Sequence, residues 1–330
     1  MREGAGEPSS GASPVLTLRT GLVRAKAMRE YRSLEMKFAS LCEELNSTRN
    51  QRNLKMKKIS RLALAIAAVG IMTLHLAAPV GAATPVAPQA RPTIVLVHGA
   101  FADSSSWNNV ARSLRARSFP VIAVANPLRG VKSDAAYVAA LVASVKGPVV
   151  LVGHSYGGSV ISAAADGKAN VKALVFVAAF APDAGESAVD LSGKFPGSTL
   201  GPTLAPPVSL PDGAKDLYIL QDKFSSQFAA DVPAAAGYLM AVSQRPITES
   251  ALVEAAPAAA WKTIPSWFIY GDRDKNIPPA ALAFMAERAK SKKTVVVNGA
   301  SHVVMISKPN AVSRLIVAAA EAVEADAVQP

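Results

Sequence analysis

Ser155 stands at the centre of Gly153-His154-Ser155-Tyr156-Gly157, between the apolar run 148–152 and a helix-compatible run at 158–165. A strand, a sharp turn and a helix in that order lift a serine hydroxyl clear of the backbone, which makes Ser155 a candidate nucleophile. The flanking glycines have a steric purpose. With no Cβ at Gly153 or Gly157 the turn can close, and the helix can start hard against the strand. With 21 glycines in 330 residues, a chance Gly-x-Ser-x-Gly match is common, so the setting and the partners of the serine decide the reading.

A serine hydroxyl is a weak nucleophile until a base takes its proton. The chain has four histidines. His75 lies in an N-terminal apolar run, His98 ends the first strand in His98-Gly99-Ala100-Phe101, and His154 is expected to point away from the nucleophile's face. His302 remains, in Gly299-Ala300-Ser301-His302 after the last strand, at the carboxyl edge of the sheet where catalytic groups gather. The base needs a carboxylate to fix its tautomer and stabilise the imidazolium. Asp272 and Asp274, in Gly271-Asp272-Arg273-Asp274-Lys275, both follow the strand at 267–270. An Asp after Gly ordinarily shapes the turn, so position alone leaves the choice between them open.

Apolar strands alternate with amphipathic helices from Pro92 onward. The pattern predicts strands at 93–97, 121–125, 149–152, 171–177, 267–270 and 294–297, with helices at 107–116, 133–144, 158–165, 279–289 and 310–323. Continuous rather than alternating apolar strands predict a mostly parallel, doubly wound sheet covered on both faces. Residues 181–262 break the rhythm with nine prolines and two short helical patterns, at 221–230 and 234–243. So long a segment is expected to form a small cap over the sheet edge where ligands bind.

The first 91 residues read differently. A basic stretch, Met56 to Arg61, precedes a 17-residue apolar run at 62–78 and small residues up to Ala83, the pattern of a secretory signal peptide at 56–83. Residues 84–91 read as a linker and residues 1–55 as an extension upstream of the true start at Met56. The mature chain is then expected to be exported, periplasmic or secreted, with no membrane segment; an uncleaved leader would instead anchor it. Residues 1–61 hold 13 Lys and Arg against 6 Asp and Glu, so +7 of the formal +11 belongs to this segment. No basic stripe with interleaved aromatics survives beyond it, which argues against a nucleic-acid partner. The single cysteine, Cys42, also lies upstream, so the mature domain has neither a disulfide nor a thiol nucleophile.

Residues 92–325 resemble the α/β-hydrolase superfamily through His98-Gly99, the turn at Ser155, and Gly-Asp-Arg-Asp followed by His302. The chain order Ser155, Asp274, His302 is that of the family, which places its acid at the second Asp of such a turn and so implies Asp274. The resemblance also implies backbone N–H donors to an oxyanion at Ala100 and Tyr156. Within the superfamily, the segment from His98 to Trp107 looks most like small bacterial hydrolases related to the plant methylesterase and hydroxynitrile lyase group. Those lyases carry a lysine directly after the catalytic histidine and tend to have threonine after the first histidine; here the residues are Val303 and Gly99. Both departures argue against cyanohydrin cleavage. Relatives that dehalogenate alkanes or open epoxides use an aspartate nucleophile, so Ser155 argues against those reactions.

The expected activity is hydrolysis of small to medium apolar carboxylic esters through an acyl-enzyme, with a small-molecule ester as partner and no metal or cofactor. Phe101, Phe180, Met240 and Trp261, beside Tyr156, are candidates to line an apolar pocket under the cap. Other serine-dependent reactions on the same three residues, such as perhydrolysis or amide cleavage, are the alternative, ahead of a non-catalytic binding protein on the same fold.

Overall fold

The six apolar runs form a single parallel sheet in the computed structural model, which describes residues 91–327. Its strands are β1 Thr93–Val97, β2 Val121–Val124, β3 Val149–His154, β4 Val171–Val177, β8 Ser266–Gly271 and β9 Lys293–Val297, in the order β2-β1-β3-β4-β8-β9. Every residue of β1, β3 and β8 is buried, as expected where helices cover both faces and no side of the strand meets water. Phe176 on β4 stacks on Phe268 of β8 with ring centroids 4.6 Å apart. Each fully buried aromatic of this kind contributes about 2–3 kcal/mol of hydrophobic stabilisation.

The helices that cover the sheet are α1 Asn108–Ala116, α2 Val131–Ser144, α3 Tyr156–Ala164, α8 Pro279–Arg288 and α10 Pro309–Asp326, with the short α9 Val304–Ser307 before the last. The helix expected at 107–116 begins differently. A 3-10 turn, Ser104–Trp107, comes first because the Asp103 carboxylate accepts the Ser105 N–H at 2.7 Å and caps it.

Between β4 and β8 the chain leaves the sheet. It builds α4 Ala188–Gly193, whose start carries a reciprocal Ser187–Asp190 capping box, then α5 Gln221–Phe228, α6 Ala234–Val242 and α7 Glu249–Val253. The strands β5 Val208–Ser209, β6 Lys215–Leu217 and β7 Ile247–Thr248 pair antiparallel beside them. Sequence periodicity does not predict this second sheet, because strands of two or three residues are too short to alternate visibly.

Apart from Arg91, the leader and linker expected at 56–91 and the extension at 1–55 lie outside the described residues. Among the described residues no helix is long and apolar enough to cross a membrane.

Candidate active site

The turn between β3 and α3 brings three backbone segments into contact. A Cβ on Gly153 would fall 2.5 Å from the Gly157 carbonyl oxygen, and one on Gly157 would fall 2.6 Å from that of Val97. No side chain fits at either place. Ser155 itself adopts φ 53° and ψ −125°, a conformation that costs a non-glycine residue on the order of 1–3 kcal/mol. Hydrogen bonds hold it there: its N–H donates to Val177 O at 3.3 Å, while its carbonyl accepts from Gly158 N–H at 3.0 Å and Phe180 N–H at 3.1 Å.

His302 follows β9 and meets the loop after β8. Its Nδ1 lies 2.7 Å from Oδ2 of Asp274, with both side chains almost wholly buried. The other oxygen, Oδ1, accepts from the N–H groups of Asn276 at 2.8 Å and Ile277 at 3.0 Å, so the carboxylate is held at both ends. With Nδ1–H donated to Asp274, Nε2 of His302 carries the free lone pair. Among the described residues it has no hydrogen-bond partner, Ser155 Oγ included; such a bond commonly tightens only when substrate is bound. Asp272 has the other task. Its Oδ1 accepts the Gly299 N–H at 2.6 Å and ties the end of β8 to the loop that carries His302.

The remaining histidines support this arrangement from behind. His154 is fully buried with its ring 4.8 Å from that of His302, and its Nε2 lies 3.2 Å from the His302 carbonyl. Burial first, and then the neighbouring His302, hold its pKa well below 6.5, so it is a neutral prop. His98 is neutral for the same first reason, burial, and its Nε2 accepts the Asn126 N–H at 3.0 Å while Nδ1 donates to Gly99 O. Two residues of the inserted segment that sequence reasoning missed also reach the loop carrying His302. Phe228 packs 5.1 Å from the His302 ring, and Asp231 Oδ1 accepts both the N–H and the hydroxyl of Ser301. Neither carries a local motif, so only the fold brings them there.

Ser155 opens onto a cavity of about 370 Å³ together with Ala100 and Tyr156. Tyr156 is the first residue of α3, where a backbone N–H has no intrahelical acceptor. Among the described residues neither its N–H nor that of Ala100 donates to a protein group, so both are available to a developing oxyanion. Phe101, Phe180, Leu204, Phe228 and Leu252 give the cavity an apolar wall; Ser192, Ser198 and Asn276 are polar, and among the described residues no charged side chain borders it.

Met240 and Trp261 do not border this cavity. Met240 lines a separate cleft of about 170 Å³ beside Asp103 and Gln244, which Phe101 also borders. Trp261 turns towards β4's exit instead, where its indole N–H donates to Pro182 O at 2.8 Å and its ring receives the Arg288 guanidinium at 5.2 Å.

Known proteins share this architecture. The chain is 27% identical over 255 residues to the Alpha/beta hydrolase nvfD of Aspergillus novofumigatus (strain IBT 16806), covering 71% of this chain and 99% of the relative. It is 27% identical over 237 residues to the Alpha-hydroxynitrile lyase of Arabidopsis thaliana, covering 65% and 92%. The crystal structure of polyneuridine aldehyde esterase superposes with a TM-score of 0.60 at 19% identity, over 69% of this chain and 98% of that one, a likeness of fold. The sequence pattern of the Alpha/beta hydrolase family matches residues 94–315, and the chain belongs to that family.

Proposed function

We propose that the chain is a serine hydrolase that cleaves small to medium apolar carboxylic esters through an acyl-enzyme. The observation that carries this reading is the shared cavity, which Ser155, Ala100 and Tyr156 border together, the N–H groups of the last two being without a protein acceptor among the described residues. In this mechanism His302 Nε2 takes the Ser155 proton as Oγ attacks the ester carbonyl. The carbonyl oxygen becomes an oxyanion held by the two N–H groups, and the buried Asp274 stabilises the imidazolium. His302 then returns its proton to the departing alcohol, and a water, activated by the same base, releases the acid. An apolar wall with no charged side chain suits an uncharged acyl group and disfavours a carboxylate or phosphate, which would lose its hydration unpaired.

The Arabidopsis relative gives cyanohydrin cleavage as a second reading. Against it, the residue after His302 is Val303, buried and apolar, so no ammonium is supplied there for a cyanide leaving group.

The test is release of p-nitrophenol from short- and medium-chain acyl esters, run beside cyanide release from mandelonitrile. Ester turnover that vanishes in Ser155→Ala supports the reading; turnover unchanged in that variant removes the nucleophile, and cyanide release without ester turnover favours the lyase. The leader at 56–83 supports export, which N-terminal sequencing of the secreted chain tests.

A further inference from the structure

Asp134 is a fully buried carboxylate, 0% exposed, that the ester mechanism does not use. Among the described residues no cationic side chain pairs with it. Its Oδ2 accepts the Tyr156 hydroxyl at 2.9 Å, and its two oxygens accept the Arg129 N–H at 3.1 and 3.2 Å. Ser133 Oγ lies 3.4 Å from Oδ1. Burying an anion is costly, and an apolar residue of similar size would fill the space with less penalty, so a device held in this way calls for a use.

Both ends of the arrangement reach something functional. Tyr156 borders the Ser155 cavity and, in the reading above, its N–H is one of the two oxyanion donors; its ring leads from that peptide to Asp134. Arg129 leads to the cap: its Nη1 lies 2.6 Å from Asp216 Oδ1 on β6 and its Nη2 donates to Pro246 O at 3.1 Å. The backbone beside it joins the same sheet, with Thr248 Oγ1 donating to Arg129 O at 2.9 Å and Thr248 N–H to Leu128 O at 3.1 Å. Hydrogen bonds linked through the Tyr156 and Arg129 side chains therefore run from the Tyr156 peptide through Asp134 into the small antiparallel sheet.

We propose that Asp134 is a positioning residue that tethers Tyr156 to the cap, so that seating of the cap sets the turnover rate as well as substrate binding. The proposal rests on the ester-hydrolase reading above. Oxyanion donors act at about 2.7–3.1 Å from the developing charge, and a misplacement of about 1 Å costs on the order of a hundredfold in rate. A tether that holds the Tyr156 peptide to a fraction of that distance acts on kcat. Contacts made only by the cap to bound substrate act on KM.

The experiment uses the full chain with Tyr156→Phe, Asp216→Asn and the double variant, assayed with a p-nitrophenyl ester. Each single change is expected to lower kcat by about tenfold with KM within about twofold, and the double to be no worse than the larger single loss, since both break one tether. Asp134→Asn is expected to retain more kcat than Asp134→Leu, because its carbonyl can accept the Arg129 N–H while its amide donates to the Tyr156 oxygen. Amide hydrogen exchange over residues 156–160 is expected to speed up in Asp216→Asn, a readout that needs no turnover. Unchanged exchange there, additive losses in the double variant, or a fall in thermal stability with kcat intact would overturn the tether. A wild-type chain inert to every ester removes the hydrolase reading instead, and the exchange measurement still judges the tether.

Discussion

Nδ1 of His302 and Oδ2 of Asp274 lie 2.7 Å apart in a place that water barely reaches, and the second Asp274 oxygen is occupied by two backbone N–H groups. A charge-assisted bond of this kind fixes which histidine nitrogen is left free to act as the base proposed for Ser155. Asp274→Asn leaves a side chain of the same shape that cannot hold that tautomer, and kcat is expected to fall by about 10³- to 10⁴-fold. Asp272→Asn removes a charge from a surface turn and keeps an oxygen for the Gly299 N–H, so its loss is expected to stay below about tenfold. Steady-state kinetics of the two variants check the order; a larger loss at Asp272 would transfer the acid role to it.

Gly99 gives a second prediction. A Cβ there would sit 2.6 Å from Ser155 Cβ and 2.7 Å from the His154 carbonyl oxygen, neither of which is a flexible side-chain end. Gly99→Ala must therefore displace either Ser155 or the loop that carries the Ala100 N–H. Loss of one oxyanion donor typically costs about 10²- to 10³-fold, and kcat is expected to fall into that range while the chain stays folded. Covalent labelling of Ser155 by a fluorophosphonate should slow in parallel; labelling at the wild-type rate would show that the loop accommodates the methyl group.

The features legible in the sequence are those set by short stretches of chain. Ser155 is announced by the glycines that its turn demands, and the central strands by apolar runs that only a sheet covered on both faces requires. The helix patterns at 221–230 and 234–243 are matched by Gln221–Phe228 and Ala234–Val242. What could not be read are meetings between distant segments. Phe228 against His302, Asp231 on Ser301 and Asp134 under Tyr156 join residues 74, 70 and 22 positions apart, and the first residue of each pair carries no motif. The pocket shows the same limit: Phe101 and Phe180 sit on loops directly after β1 and β4 and reach the cavity, whereas the placing of Met240 and Trp261 depends on how the cap packs.

Cavity volume should set the upper size of substrate. Leu204 lies in the cap wall and is partly exposed, so Leu204→Trp can be accommodated without overpacking the sheet, while occupying part of the 370 Å³ space. The expected result is a rise in KM of about fivefold or more for medium-chain esters, with acetate esters little affected, because one extra methylene in an apolar pocket is worth about 1–3 kcal/mol. An equal effect on short and medium chains would mean that the acyl group lies elsewhere.

Stability should fall in acid, and Glu186 supplies a measurable share. Burial alone would push its carboxyl up, but hydrogen bonds from the Arg288 guanidinium at 2.7 Å, the Asp183 N–H at 2.9 Å and the Lys194 ammonium outweigh it. They pull its pKa down to about 2 from 4.5. A carboxyl with a depressed folded pKa stabilises the native state fully above its unfolded value, and the contribution is lost as pH falls from 4.5 through about 2. His98 and His154 act in the same sense from pH 6.5 downward, since unfolding frees two buried neutral imidazoles to take up protons. Glu186→Gln is expected to cost about 1–3 kcal/mol at pH 7, less than the whole shift because Lys194 is 46% exposed and screened. The gap between wild type and variant, read from urea unfolding followed by tryptophan fluorescence, should narrow by more than half between pH 7 and pH 3. A gap of constant size over that range would mean that Glu186 gives up its proton no more readily in the folded chain than in the unfolded one.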